Sequence, residues 1–399
     1  MKIFLKILIC LILIGVKYNL LYSQSIYSTV GLGELYYFIN TRSAGMGHIG
    51  LAIGDDISHN RLNPACSANL KDTAFNTGFI LGGVRISQKG NTFSSSLSRF
   101  NGASLSIKIV DGFLITVGMF PFSDYEYEFY SYEKDLKYST GLVGNGGLTS
   151  GSGGVALKLS KKLALGISIN RLFGRLEERT IIDFYDVNYT DTKDDIDKIL
   201  YGNYFNYGFA YEINNKTKIG GFFSTGSKLK GRIEYNHIYG FSGESQKINV
   251  NLPYSFGLGG IYQLNQKIIL GSDIFIFNGS QMKYNDSVID FVKNAYKIGF
   301  GGEITPSKNL YDEYIKRMSY RWGFFINSPY IKYVNNASIK EYFLTGGLGL
   351  PFSNDLARID IALEIGMRSS GNNDSPSEKV IKLSLGFGSL EKWFSREKK

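Results

Sequence analysis

Residues 358–368 read RIDIALEIGMR, with Ile359, Ile361, Leu363, Ile365 and Met367 at odd positions and Arg358, Asp360, Glu364 and Arg368 at even ones. Successive side chains of a β-strand point to opposite faces, so this period of two gives one apolar and one charged face. The pattern recurs at Leu105, Ile107 and Ile109, at Val155, Leu157 and Leu159, at Leu163, Leu165, Ile167 and Ile169, and at Ile381, Leu383, Leu385 and Phe387. Phe205, Tyr207, Phe209 and Tyr211 continue it with aromatic rings. A chain built this way is all-β, and the remaining question is which face meets water.

The N-terminus bears on that question. Lys2 and Lys6 precede an apolar run over residues 7–16, and Ser23 follows as a small residue at a cleavage position. This is the pattern of a secretory leader over residues 1–23, because the run is about half of the ~20 residues a spanning helix needs. Cys10 leaves with the leader, so Cys66 is expected as a free thiol. Beyond the leader no segment is apolar and long enough for a transmembrane helix. The composition of 47 Gly, 28 Tyr and 28 Phe against 7 Pro nevertheless suits many twisted strands with aromatic girdles, whose two faces cancel in any hydropathy average. A soluble two-sheet sandwich would leave the apolar faces as an oversized exposed patch.

Short joints at 111–112, 161–162, 214–215, 265–266 and 353–355 alternate with longer tyrosine- and charge-rich loops, which predicts a transmembrane antiparallel barrel of about 14 strands. The strands are expected to begin near residues 74, 100, 113, 150, 163, 201, 216, 250, 267, 293, 318, 340, 356 and 378, making 73–390 the barrel and 391–399 a polar tail. The formal charge of +9 is scattered, with no nucleic-acid footprint. Catalysis is not expected. A barrel phospholipase needs a Ser beside a His, and the three histidines, His48, His59 and His237, are not placed for a membrane-facing dyad. No Cys/His cluster has metal-ligand spacing, and no cofactor is implied.

Residues 42–65 read RSAGMGHIGLAIGDDISHNRLNPA. Gly45, Gly47 and Gly50, then Asp55 and Asp56, then Asn63 and Pro64 just before the first strand, are similar in order and spacing to the N-terminal plug of the FadL family of outer-membrane long-chain fatty-acid transporters. The resemblance implies that residues 24–72 form a plug (hatch) and that hydrophobic small molecules cross an outer membrane passively. PorV-like barrels, partners in a secretion system, open with a similar sequence and supply the alternative of a scaffold. Cys66 departs from the pattern, where a glycine often follows Asn-Pro-Ala, and the tail lacks a clear aromatic assembly signal unless Phe387 or Phe394 serves. In either case the expected surroundings are outer-membrane lipid and a monomeric barrel.

The residues themselves suggest turn roles for Asp55, Asp56 and Ser58, whose side-chain oxygens suit backbone donors in the folded-back segment. Residues 194–200 place Ile196, Ile199 and Leu200 on one face if helical, and residues 286–294 do the same for Val288, Phe291 and Val292. By the resemblance these become an extracellular landing site for substrate. Pro121, between Phe120 and Phe122, interrupts an interior strand with a residue that has no amide hydrogen to give, so a bulge, kink or gap is expected there. In the family a kink in the third strand opens a lateral exit. A continuous apolar route through the lumen favours transport, whereas a lumen blocked by paired Arg358, Asp360, Glu364 and Arg368 favours the scaffold.

Overall fold

A computed structural model describes residues 25–133, 137–185, 188–237, 245–333, 337–371 and 375–393. The leader with Cys10 and most of the polar tail with Phe394 lie outside the described residues. The alternating segments close into one antiparallel barrel of 14 strands. In chain order they are β1 (Thr73–Gln88), β2 (Asn91–Val110), β3 (Phe113–Pro121, resuming as Tyr127–Glu133), β4 (Tyr138–Lys158), β5 (Leu163–Phe184) and β6 (Thr192–Glu212). Next come β7 (Thr217–Ser224 and Ser227–His237), β8 (Gln246–Leu252 and Ser255–Gln263), β9 (Ile268–Phe277) and β10 (Ala295–Ile304). The last four are β11 (Ser319–Ser328), β12 (Lys340–Phe352), β13 (Ala357–Ser369) and β14 (Ser377–Glu391). Pairing of β1 with β14, from Thr73 opposite Glu391 to Ser87 opposite Ser377, shuts the barrel and removes its edges.

Several strands run further than expected. β2 begins at Asn91 rather than near 100, after a two-residue turn in which Lys89 and Gly90 both have positive φ. β4 begins at Tyr138 rather than near 150, and β6 at Thr192 rather than near 201. β4, β5 and β6 are 21, 22 and 21 residues long, about twice the ~9–11 that cross a bilayer. Their outer halves therefore stand beyond the membrane, where the outward face is no longer held apolar and the alternation fades. Residues 194–200 accordingly belong to β6 and not to a loop helix. Residues 286–294 hold a two-residue strand, Ser287–Val288, and no helix. Among the described residues no helix is long and apolar enough to cross a membrane, which leaves a crossing by strands untouched.

The parity of each strand sorts its side chains. On β13, Leu363, Ile365 and Met367 are exposed on the outer face, while Arg358, Asp360, Glu364 and Arg368 are buried on the inner one. On this strand charges thus point into the lumen and apolar groups toward lipid, the inverse of a soluble sandwich.

Candidate functional site

Residues 25–72 lie against inward-facing groups of strands all round the barrel. Asn40 caps the one-turn helix Thr41–Ala44, its side chain accepting from the Ser43 amide. Small residues then bring this turn onto the wall. A Cβ on Gly45 would sit 3.1 Å from the Gly347 Cα of β12. Gly47, at φ +67°, leaves no room for a side chain, because a Cβ would stand 2.6 Å from the carbonyl oxygens of Phe300 and Phe324. Gly50 and Leu51 donate their amides to one oxygen of Asp273 on β9, at 2.6 and 2.8 Å. Asn63 caps the 3₁₀ turn Pro64–Asn69 through the Ala65 amide. The Asn63 amide group also donates to the carbonyls of Leu51 and of Phe209 on β6, at 2.7 and 2.8 Å.

Asp55 and Asp56, adjacent in sequence, have different surroundings. Asp56 is half-exposed and pairs with Lys71 at 2.6 Å. Asp55 is buried, accepts from the Ile57 amide at 3.2 Å, and belongs to a closed ring of six alternating charges. Arg358 reaches it at 2.5 Å and Arg42 at 3.2 Å. Arg42 then makes a two-pronged contact with Glu303 of β10, at 2.9 and 2.6 Å. Arg321 of β11 bridges Glu303 and Asp360, both at 2.7 Å, and Arg358 returns to Asp360 at 3.0 Å. Three arginines and three carboxylates cancel, so the ring is tolerable away from water only while all six are present. Burial pushes the Asp55 carboxyl up, but Arg358 and Arg42 outweigh it and hold it well below the usual carboxylate range.

A second group of charges lies on the same side of the lumen. Arg368 meets Glu34, Glu341 and Glu378 at 2.5, 2.9 and 3.5 Å, and Ser25 donates to Glu378 at 2.9 Å. His48 contacts Glu364 at 3.2 Å. Burial lowers the imidazole's pKa, with Lys297 adding to the effect and Glu364 opposing it. All four inward charges of β13 are therefore paired.

The break in β3 is also occupied. The ladder to β2 stops at Ala103 opposite Met119. On the β4 side pairing runs to Pro121 opposite Thr149 and resumes at Tyr127 opposite Gly144, one residue out of step, which marks a bulge. Between these points the chain turns inward, and Ser123–Asp124 pairs with Glu34–Leu35 of the N-terminal segment. The Phe122 carbonyl accepts from the Tyr36 amide at 2.9 Å, and the Pro121 carbonyl accepts from Arg61 at 2.9 Å. His59 stacks on Phe120 with ring centroids 5.9 Å apart, and the Arg61 guanidinium lies 5.4 Å from the same ring. Arg99 of β2 pairs with Asp124 and covers the Tyr36 ring at 4.0 Å. Phe122 points inward beside Tyr204. The cavity these residues share with Phe222 and Phe275 is about 50 Å³, of the order of a water molecule or two and far short of a ligand pocket.

The residues expected as a landing site are not gathered into one. Leu200 is buried in an apolar cluster with Leu172, Leu176, Leu229 and Ile233, and Ile196 packs against that cluster. Ile199, with its side chain on the opposite face of β6, pairs across to Arg175. Phe291 stands apart, exposed beside Gly31. Cys66 is buried and free, its thiol pushed up to about 12 chiefly by burial. Glu303, Arg321 and Asp273 escaped the sequence reading, although Asp273 and Arg321 are the lone charges of β9 and β11 and Glu303 shares β10 only with Lys297. Among the described residues no group of His, Cys, Asp and Glu is placed to hold a metal ion.

The fold matches solved outer-membrane barrels at low identity. A Pseudomonas aeruginosa FadL homologue superposes with a TM-score of 0.63 at 12% identity, over 90% of this chain and 99% of the other. The Pseudomonas putida toluene transporter TodX gives 0.63 at 14% over 90% and 99%, and the Ralstonia pickettii toluene transporter TbuX gives 0.58 at 13% over 88% and 98%. The barrel thus has the FadL-type fold. No curated protein matches the chain. A family model described as BamG matches residues 1–399.

Proposed function

We propose that this chain, which belongs to the BamG family, is an outer-membrane barrel closed to flow along its axis that works through its wall and rims as a partner or scaffold for other envelope proteins. In this reading residues 1–23 are the leader, 24–72 are the plug and the barrel is a single copy. The observation that carries it is the pairing of Arg358, Asp360, Glu364 and Arg368 with the N-terminal segment and its neighbours. Withdrawing the plug would strand several buried charges, at several kcal/mol each. Such a cost suits a permanent seal. Capture of the intact protein from its own membranes, followed by mass spectrometry of proteins and lipids together, tests this. A stoichiometric protein companion cross-linked to the barrel's rims is expected. Recurrent recovery of one hydrophobic small molecule, with no companion, would overturn it.

A second reading, passive uptake of hydrophobic compounds with a lateral exit, is favoured by one observation. Pairing of β2 with β3 ends at Ala103 and Met119, leaving the outer part of β2 without a β3 partner. The solved toluene transporters share this fold. Replacing Pro121 with Val restores an amide hydrogen at the break and, on this reading, slows uptake of a hydrophobic dye by cells or proteoliposomes. Unchanged uptake removes the lateral exit.

A further inference from the structure

The outer wall has a hollow of about 740 Å³ spanning β11, β12, β13, β14, β1 and β2. Its floor is two rows of outward residues set by strand register. The lower row runs Phe324, Leu344, Ile365, Ile381, Gly83, and the upper one Ile326, Tyr342, Met367, Lys379, Arg85, Ser94. Leu344 is 72% exposed and Met367 54%. Gly83 contributes no side chain, and nothing nearer than the Ser95 carbonyl at 3.4 Å would meet a Cβ there. The hollow is apolar below and cationic in its upper row.

That upper row contains an anomaly. Arg85 and Lys379 are direct cross-strand partners on the outer face, and like charges so placed destabilise a sheet unless something lies between them. Both are exposed, and neither has a carboxylate partner among the described residues. The adjacent Glu378 faces inward, spent on Ser25 and Arg368. Height along the strand identifies the missing partner. Past the ~9–11 residues a tilted strand needs to cross hydrocarbon, β1 changes from outward Phe75, Phe79 and Leu81 to Arg85, and β14 from Ile381 to Lys379. The two cations stand where acyl chains give way to headgroups.

We propose that this hollow binds one phosphate-bearing membrane lipid, an acyl chain lying on the Ile365, Ile381 and Gly83 floor and the phosphate bridging Arg85 and Lys379. Guanidinium and ammonium groups together match a phosphate's oxygens, and charge-assisted contacts of this kind are stronger in the poorly hydrated interface than in water. A zwitterionic headgroup also brings its own cation and gains less.

Delipidated full-length protein is offered an equimolar mixture of phosphatidic acid and phosphatidylcholine with identical chains, and retained lipid is read by native mass spectrometry. About tenfold preference for phosphatidic acid is expected, the equivalent of one good charge-assisted contact. The R85S/K379S variant loses that preference, and Gly83→Phe weakens retention of both lipids by filling the floor. Heat-modifiable migration on gels checks that each variant is folded, and the wild-type comparison stands without any variant. Equal retention of the two lipids by wild type, or an unchanged preference in R85S/K379S, would overturn the proposal. So would displacement of phosphatidic acid by inorganic phosphate, which marks a free-phosphate site. Disulfide formation between copies at Ser94→Cys with lipid retention unaltered assigns the hollow to a second copy instead.

Discussion

The two sides of the lumen are filled by opposite means. On the side of β10 to β13 the wall meets the N-terminal segment through charge, in the ring of Asp55, Arg42, Glu303, Arg321, Asp360 and Arg358. On the side of β4 to β9 it presents Leu148, Leu172, Leu176, Leu200, Leu229, Ile248 and Phe275, which pack on one another and on Leu32, Ile39 and Leu51. Apolar packing is non-directional and tolerates adjustment, so it fills space without specifying a register. A closed ring of charges has one arrangement in which every member is satisfied, and removing one leaves its partners buried and uncompensated. The charged side, with Asp273 of β9 as a further fixed point, therefore orients the N-terminal segment, and the apolar side fills what is left.

The largest effect should come from removing both at once. Deletion of residues 24–70 is expected to leave a barrel that inserts and conducts ions in planar bilayers, because the segment supplies no wall strand. A truncated barrel as electrically silent as the full-length one would show that the segment is not a plug. Next is the charged side alone, where Arg321→Ala leaves Glu303 and Asp360 facing each other across a void. A loss of about 3–5 kcal/mol is expected, read as a lowered Tm or earlier unfolding in denaturant. Little change would show that water enters and replaces the arginine.

The dependence on pH is a gentler test of the same comparison. Burial, with Arg61 adding to it, holds the His59 imidazole down at about 4, against 6.5 when unfolded. The folded state therefore refuses a proton the unfolded chain accepts, so the contribution is complete above about pH 6.5 and is lost as pH falls toward 4. Asp55, whose folded pKa is also depressed, loses its contribution only at more acid pH, on dropping below the ordinary carboxylate range. Protease cleavage within residues 25–72 should consequently rise between pH 6.5 and 4 in wild type and stay flatter in His59→Gln. Parallel curves would exclude His59 as the source. The smallest effect belongs to the apolar side, where Ile248→Val should cost about 0.5–1.5 kcal/mol without altering cleavage within residues 25–72. A loss as large as that of Arg321→Ala would erase the distinction between the two sides.

Much of this was legible from period and spacing. The alternation at 358–368 identified β13 and sorted its residues into two faces, and the short joints located most strand starts to within a few residues. Where it failed, the cause is specific. Strands β2, β4 and β6 continue beyond the bilayer, and there the outer face meets water, so NTFSSSLS of β2 and DDIDKIL of β6 lose the apolar alternation by which strands are recognised. DDIDKIL in particular has helix-like spacing, but its backbone is held by β5 and β7, and tertiary pairing overrides a weak local preference. Pro121 announced an interruption and said nothing of what would occupy it.

The sequence by itself determined an all-β chain, the number and order of its strands and the shared face of the β13 charges, because a strand's period of two is a local property of the backbone. Tertiary structure alone decided which charges meet. Arg42 and Glu303 are 261 residues apart, and Arg358 and Asp55 are 303 apart, so only closure of β1 on β14 brings them within reach. It also decided that the freed backbone at Pro121 is taken up by Tyr36 and Arg61, and that Arg85 and Lys379 stand side by side on the outer wall. Each of these depends on inter-strand register, and register is a property of the closed barrel rather than of any one segment.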